Sequence, residues 1–376
     1  MVLMNKGKDS IIRICIVSYQ GYSLYDPTSN IPFGGTEIQL YLLSKEFGND
    51  KKYDVHVITS NFKKNVPEKK YNNIHIHASL PFKRKRSIRV PIKLFLLLYE
   101  INPDIVIQRA FGVPTGICAL YALLFKKKFI YSIAHEIDVN GEAEKGLLGK
   151  IYKFGFSHAN FIVAQHENQI KILERRQKRK CDKIFTIKSG YDITQIKLNT
   201  MKYILWVGRA VRWKRPEFFL RLAKYFPKEQ FLMIINKSID LNYWAKIESE
   251  AKKIGNLQLI EKVPFKDIGD YFKQGKIFIN TSSYEGFPNT FIQALKNETP
   301  IISLNVDPDD FLVNNTCGFN CLNNFDEMIS KLKKLLNNPE VYRIYSKNSF
   351  NYVKKNHDIK KISIKWKKVI NYLTKS

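Results

Sequence analysis

Four short stretches of this 376-residue chain carry residues of the kinds that handle phosphates and sugars. In VGRAVRWKRP (207–216), Arg209 leaves an apolar run and Lys214 follows just ahead of Pro216, a residue suited to the first turn of a helix. Two cations so placed can neutralise a diphosphate without a metal, although a plain solvent-facing pair is the commoner meaning of such a spacing. In SSYEGFPNTFIQ (282–293), Glu285 closes a loop, Gly286 permits a tight or positive-φ turn, and Asn289 or Thr290 can cap the helix that carries Phe291, Ile292 and Gln293. A carboxylate there is also what a helix dipole alone would favour. In AHEID (134–138), His135 stands at a strand mouth, where an imidazole can donate to a sugar hydroxyl or a phosphate, or exchange a proton. In FGGTE (33–37), Gly34 and Gly35 precede a helix and let backbone N–H groups approach a phosphate, or simply make a loop. Neither GxGxxG nor GxxxxGK[ST] occurs. The His135–Glu136 pair has no third ligand at a suitable spacing, so no metal site is expected.

These stretches have a common setting. Near-continuous apolar runs recur at 11–18, 54–60, 73–79, 104–109, 128–135, 160–165 and 183–190, with helical patterns at 36–47 and 113–125 between them. After a polar stretch at 191–200 the alternation restarts, with strands at 203–208, 231–236, 257–263, 276–282 and 300–306 and helices at 216–226, 243–254 and 289–297. Alternation of this kind predicts α/β architecture with parallel sheets covered on both faces. The expected domains are 1–196, 197–355 and a C-terminal amphipathic helix, 356–376, that crosses back to the first domain. Ligands of such sheets bind beyond the carboxyl ends of the strands, where all four stretches fall.

Composition narrows the partners. The formal net charge is +28, from 62 Lys+Arg against 34 Asp+Glu, and concentrates in KRKRSIR (83–89) and ERRQKRKCDK (174–183). The first run leads without an acid into PIKLFLLLY (91–99), which is too short to span a bilayer. An anionic membrane surface is therefore a candidate partner. Nucleic acid is disfavoured, because aromatic residues do not interleave with the basic ones. A lysine-rich solvated face is the plain alternative. The five scattered cysteines and the lack of a signal-like start suit a cytoplasmic protein, free or peripheral on the cytoplasmic face of a membrane. The histidines other than His135 show no grouping, beyond His75 and His77 sharing one strand face.

GGTE (34–37), AHEID (134–138), VGR…K (207–214), EGFPNTFIQA (285–294) and TPIISLNVDPD (299–309) together resemble the retaining glycosyltransferases of family 4. The resemblance implies a GT-B fold, with two Rossmann-like domains facing each other across a donor-binding cleft. It implies transfer of a sugar from a nucleoside-diphosphate sugar, UDP- or GDP-linked, with retention of configuration, no metal and no tightly bound cofactor. The acceptor would be a glycan, a lipid-linked sugar or a small molecule. By position, Gly34 and Gly35 would lie under the diphosphate and donor sugar, and His135 at the donor sugar. Arg209 and Lys214 would clamp the diphosphate. Glu285, the first glutamate of the motif, would contact sugar hydroxyls, with Gly286, Phe287, Pro288, Asn289 and Thr290 beside it. The second glutamate, which would hold the ribose, is Gln293 here, so that contact would lack charge. The competing functions are a GT-B sugar-nucleotide epimerase and a non-catalytic basic protein that binds membranes or nucleic acid.

Overall fold

Runs such as IRICIV and FLMIIN are β-branched and aromatic throughout, a composition that fits strands buried on both faces. In the computed structural model they form two parallel sheets. Residues 11–29, 31–61, 68–81, 89–177, 183–194, 201–237 and 240–375 are described. Most of KRKRSIR, the middle of ERRQKRKCDK with Cys181, and the expected boundary at 196/197 lie outside them.

The chain divides into two compact units, Met1–Gly190 with Ile359–Ser376, and Tyr191–Asp358. The division thus falls at Gly190/Tyr191, and the last helix, Ile359–Lys375, belongs to the first unit.

The first unit has eight strands: β1 (Ile12–Val17), β2 (Tyr53–Asn61), β3 (Lys69–Tyr71), β4 (Ile74–Pro81), β5 (Ile105–Arg109), β6 (Lys128–Ser132), β7 (Phe161–Ala164) and β8 (Ile184–Thr186). Their order is β3-β4-β2-β1-β5-β6-β7-β8, parallel except for β3, an antiparallel edge beside β4. Strand order reverses direction at β1/β5, which is where a doubly wound sheet leaves its ligand crevice. Helices Arg89–Ile101, Val113–Leu124 and Gly146–Ser157 pack side by side on one face over a core that includes Leu94, Leu98, Cys118, Tyr121 and Tyr152. The Ile359–Lys375 helix packs instead on Gly35–Gly48, and Lys367 pairs with Asp50 at 2.7 Å.

The second unit has β9 (Tyr203–Arg209), β10 (Phe231–Asn236), β11 (Leu257–Glu261), β12 (Gly275–Asn280), β13 (Ile301–Ser303) and β14 (Gly318–Asn320), in the order β11-β10-β9-β12-β13-β14. In chain order within the unit this is 3-2-1-4-5-6, the Rossmann arrangement, with its reversal at β9/β12. The α/β fold of two Rossmann-like domains expected from the sequence is borne out.

The sequence reading named neither the helices Gly146–Ser157, Glu167–Gln177, Phe325–Asn337 and Pro339–Asn356 nor two short strands. Strands β3 and β14 are three residues each and carry no usable period. The histidines are also grouped where no grouping was expected. His56 lies opposite His75 in the β2/β4 register, and its ring stacks on His75 and His77 at 4.8 and 5.1 Å. His56 Nδ1 and His77 Nε2 are 2.9 Å apart, and burial holds His77 down to about 4. Cross-strand register brings these residues together, and one-dimensional spacing does not show register. The described cysteines, Cys15, Cys118, Cys317 and Cys321, are buried and free.

Helices Val113–Leu124 and Gly146–Ser157 approach closely at Gly155. A Cβ there would lie 2.4 Å from the backbone carbonyl of Thr115. Neither backbone can yield cheaply, so Gly155→Ala is expected to destabilise the first unit by about 1–3 kcal/mol. A lowered urea midpoint, read by near-ultraviolet circular dichroism, checks this.

Candidate active site

The loops after β9 and β12 flank the reversal point of the second sheet, and they are tied together by side chains from both. The β9 loop makes a 3₁₀ turn, Arg212–Lys214, then passes through Arg215 at φ 47° into the helix Pro216–Tyr225. Arg215 points back at the β12 loop. Its Nε donates to the Thr281 carbonyl at 2.8 Å, Nη2 to the Ser282 carbonyl at 3.2 Å, and Nη1 to Asn323 Oδ1 at 2.6 Å. The Thr281 hydroxyl donates to the Lys214 carbonyl at 2.5 Å and accepts from Trp206 Nε1 at 2.9 Å. Ser283 N–H donates to the Trp213 carbonyl at 2.8 Å.

Across this seam the Lys214 ammonium contacts the Glu285 carboxylate, which also accepts from Ser282 Oγ at 2.7 Å. Both side chains are largely covered, at 17% and 15% exposure, so their charges are less screened than on an open surface. Arg209, at the end of β9, is exposed, and its side chain has no hydrogen bond or ion pair among the described residues. The arrangement therefore offers one uncommitted cation and one cation held by a carboxylate, at the mouth of a Rossmann sheet.

The EGFPN segment differs in detail from its sequence reading. Helix Asn289–Leu295 has Pro288 as its N-cap, with no side-chain cap, so Asn289 and Thr290 begin the helix instead of capping it. The proline already supplies the extended cap geometry. Gly286 is not among the positive-φ glycines of the described residues, which are Gly112, Gly141 and Gly146. Gly286 is buried, and the Phe287 ring packs against His357 at 4.6 Å and Phe311 at 5.0 Å. Phe287 thus anchors the loop through the core. Gln293 is only 6% exposed, and its amide donates to the Tyr191 hydroxyl at 3.3 Å. Lys296, one turn on, donates to the Asp192 carbonyl at 3.3 Å and lies over the Tyr191 ring.

In the first unit, Gly34 is the extended N-cap of helix Gly35–Gly48, and the Glu37 carboxylate accepts its N–H at 2.8 Å. Gly35 is exposed. His135 follows β6 in a turn fixed by Asp138, whose Oδ2 accepts from the N–H groups of Ala134 at 2.7 Å and His135 at 3.3 Å. The Ile137 N–H donates to His135 Nδ1 at 3.3 Å, which orients the ring. Asp138 is fully buried, which pushes its carboxyl up, and its Oδ1 has no partner. Arg109, at the end of β5, donates to Ser132 Oγ at 3.5 Å and Ser189 Oγ at 3.3 Å, and burial lowers it to about 10. Arg109, Asp138, Arg215 and Thr281 were not expected as site residues. Only Arg215 had a signal in the sequence, a cation immediately before a helix-opening proline. Among the described residues, no group of three or more His, Cys, Asp or Glu side chains is arranged to hold a metal ion.

Comparison with known proteins places this geometry. Residues 192–352 match the model of glycosyl transferases group 1, and residues 33–195 that of Glycosyltransferase Family 4. The chain is a GT-B-fold protein related to these glycosyltransferases. An uncharacterised glycosyltransferase of Methanocaldococcus jannaschii is 26% identical over 403 residues, covering 96% of this chain and 99% of that protein. The UDP-Gal:alpha-D-GlcNAc-diphosphoundecaprenol alpha-1,3-galactosyltransferase of Escherichia coli is 25% identical over 331 residues, 68% of this chain and 84% of that protein. Among solved structures, sucrose-phosphate synthase from Thermosynechococcus elongatus superposes with a TM-score of 0.77 at 14% identity, covering 96% and 99% of the two chains.

The β13 loop that follows this site carries a titratable strain. Burial pushes the Asp307 carboxyl up to about 6, helped by Asp309 and Asp310 and opposed by the Leu312 N–H that Oδ1 accepts at 2.8 Å. A carboxyl raised on folding favours its protonated form in the native state, so stability falls as pH rises from about 4 to about 6. Asp307→Asn retains an acceptor for Leu312 without the charge. It is expected to stabilise the second unit by about 1–2 kcal/mol at pH 7.5 and to give no gain at pH 4, as read by thermal melts at the two pH values.

Proposed function

We propose that the chain is a retaining, metal-independent glycosyltransferase that moves a sugar from a UDP- or GDP-sugar to a hydroxyl of a glycan or lipid-linked acceptor. The observation that carries this reading is the meeting of Lys214 and Glu285 across the β9 and β12 loops, with Arg209 uncommitted at the end of β9. Arg209 and Lys214 take the donor diphosphate, whose negative charge grows as the sugar C1–O bond breaks. Glu285, released from Lys214 by the phosphate, accepts hydrogen bonds from the sugar hydroxyls. Gln293 offers its amide, which donates to the Tyr191 hydroxyl, to the ribose. Gly34, Gly35 and His135 of the first unit are assigned to the diphosphate and donor sugar, with His135 presenting a ring N–H as a donor.

The acceptor hydroxyl attacks C1 on the face the diphosphate leaves, and its proton passes to the departing phosphate oxygen. The products are the glycosylated acceptor and the nucleoside diphosphate. The name of the E. coli relative gives UDP-galactose as its donor and a diphosphoundecaprenol-linked sugar as its acceptor. This favours a UDP-sugar and a lipid-linked acceptor here.

Glu285→Ala is expected to lower kcat by about a hundredfold or more, while its melting curve stays near that of the native chain. Nucleotide release from a panel of UDP- and GDP-sugars, with and without candidate acceptors, measures this. Unchanged turnover would remove Glu285 from the site, and isomerised donor without acceptor would make the chain an epimerase. Arg209→Ala and Lys214→Ala should each weaken nucleoside diphosphate binding by about 1.5–3 kcal/mol, the worth of a hydrogen bond to a charged group. Titration calorimetry in EDTA tests them, and affinity indifferent to both changes would put the phosphates elsewhere.

A further inference from the structure

We propose that the outer face of helices Arg89–Ile101 and Val113–Leu124 in the first unit is a docking surface for an anionic lipid bilayer. Both helices bury one side in the core beneath them and leave the opposite side apolar. On the first helix, Ile92, Leu96 and Tyr99 recur at helical spacing and are exposed, Tyr99 by 59%. On the second, Leu120, Leu123 and Leu124 are exposed, Leu124 by 61%. The two stripes are continuous, because the exposed Phe125 ring lies 5.4 Å from Tyr99 and 6.2 Å from Phe95.

A helix covering a sheet normally turns polar side chains to water. Helix Phe325–Asn337 of the second unit obeys this rule, presenting Asp326, Ser330, Lys333 and Lys334. Val113–Leu124, in contrast, contains no charged residue at all. A groove of about 440 Å³ runs along the first helix, floored by Ile92, Leu96 and Leu97 and bounded by Arg89, Lys93 and Glu100.

Charge selects the occupant. Lys93 and Lys126 flank the apolar face and form no ion pair among the described residues. Nearby, Lys127 is paired with Asp104, and Glu100 is the acid on the first helix. A second copy of this chain would set these lysines against their own kind, on molecules whose formal charge is +28. An anionic headgroup layer accepts them, while the leucines and Tyr99 enter the acyl boundary. No helix among the described residues is long and apolar enough to cross a membrane. The inference goes beyond the transfer reaction and does not depend on it.

The full chain is sedimented with vesicles of phosphatidylcholine alone and with vesicles containing phosphatidylglycerol, alongside Leu123→Ser/Leu124→Ser and Lys93→Ser/Lys126→Ser. All six positions of the two stripes are solvent-exposed, and melting curves confirm that the variants fold. Binding is expected only with the anionic vesicles, to fall about tenfold or more in the leucine variant, and to fall about fivefold for each lysine lost. Binding of UDP and GDP, measured by calorimetry in the same variants, is expected to be unchanged, so that a failed docking surface is distinguishable from a failed donor site. Equal pelleting with both vesicle types, or variants that pellet like the native chain, overturns the proposal. So does a native dimer, seen by light scattering, that the leucine variant converts to monomer without any vesicle binding.

Discussion

The second unit is organised around one buried threonine. Thr281 stands at the carboxyl end of β12 with none of its surface exposed. Its hydroxyl joins Trp206 of β9 to the Lys214 carbonyl, and its own carbonyl takes the Arg215 guanidinium. Two strands adjacent in the sheet but far apart in sequence are thereby held at one fixed separation. The contact of Lys214 with Glu285 follows from that separation. Removing either anchor would leave a buried donor or acceptor unpaired, at a cost of about 1–3 kcal/mol. The site's geometry is thus enforced by hydroxyl, indole and main-chain groups together with the Arg215 guanidinium, and the Lys214–Glu285 pair is positioned by them.

Both units place costly polar groups at the same end of their sheets. Arg109 and Asp138 in the first unit and Asp307 in the second are each held away from water with a perturbed proton affinity. Asp138 Oδ1 and Asp307 Oδ2 have no hydrogen-bond partner. In contrast, the middle stretches of the strands, Ile14–Ile16 and Met233–Ile235 for example, are uniformly apolar and buried. Sequences depart from folding rules most readily where function constrains them. The departures here cluster at the strand ends, where ligand sites of such sheets lie.

Much of this was legible in one dimension, and the reason is period. Strands such as Ile12–Val17 and Phe231–Asn236 are solid apolar runs, and helix Pro216–Tyr225 announces itself with a proline at its first position. The strand-end positions of Arg209, His135 and Glu285 followed from that pattern. Register and loop closure did not. Nothing in the spacing of Arg215, Thr281 and Asn323 indicates that one guanidinium spans all three. The stacking of His56 on His75 and His77 required knowing which residues face each other across β2 and β4. The burial of Gln293 against Tyr191 joins residues 102 positions apart, and helical period alone could place only one of them.

The last helix has a consequence for how the molecule comes into being. Ile359–Lys375 packs on Gly35–Gly48 and, through Tyr372, against Phe161, so the first unit is assembled from two stretches of chain that flank the second unit. A ribosome emits the chain from the amino end, and all of Tyr191–Asp358 must emerge before the helix that completes the earlier unit exists. During that interval Phe161, buried in the finished protein and packed there on Tyr372, lacks part of its cover. The second unit, continuous in sequence, can close on itself first. Order of synthesis and order of completion therefore run in opposite directions along this polypeptide, and the growing chain carries an exposed apolar seam until Ile359–Lys375 arrives.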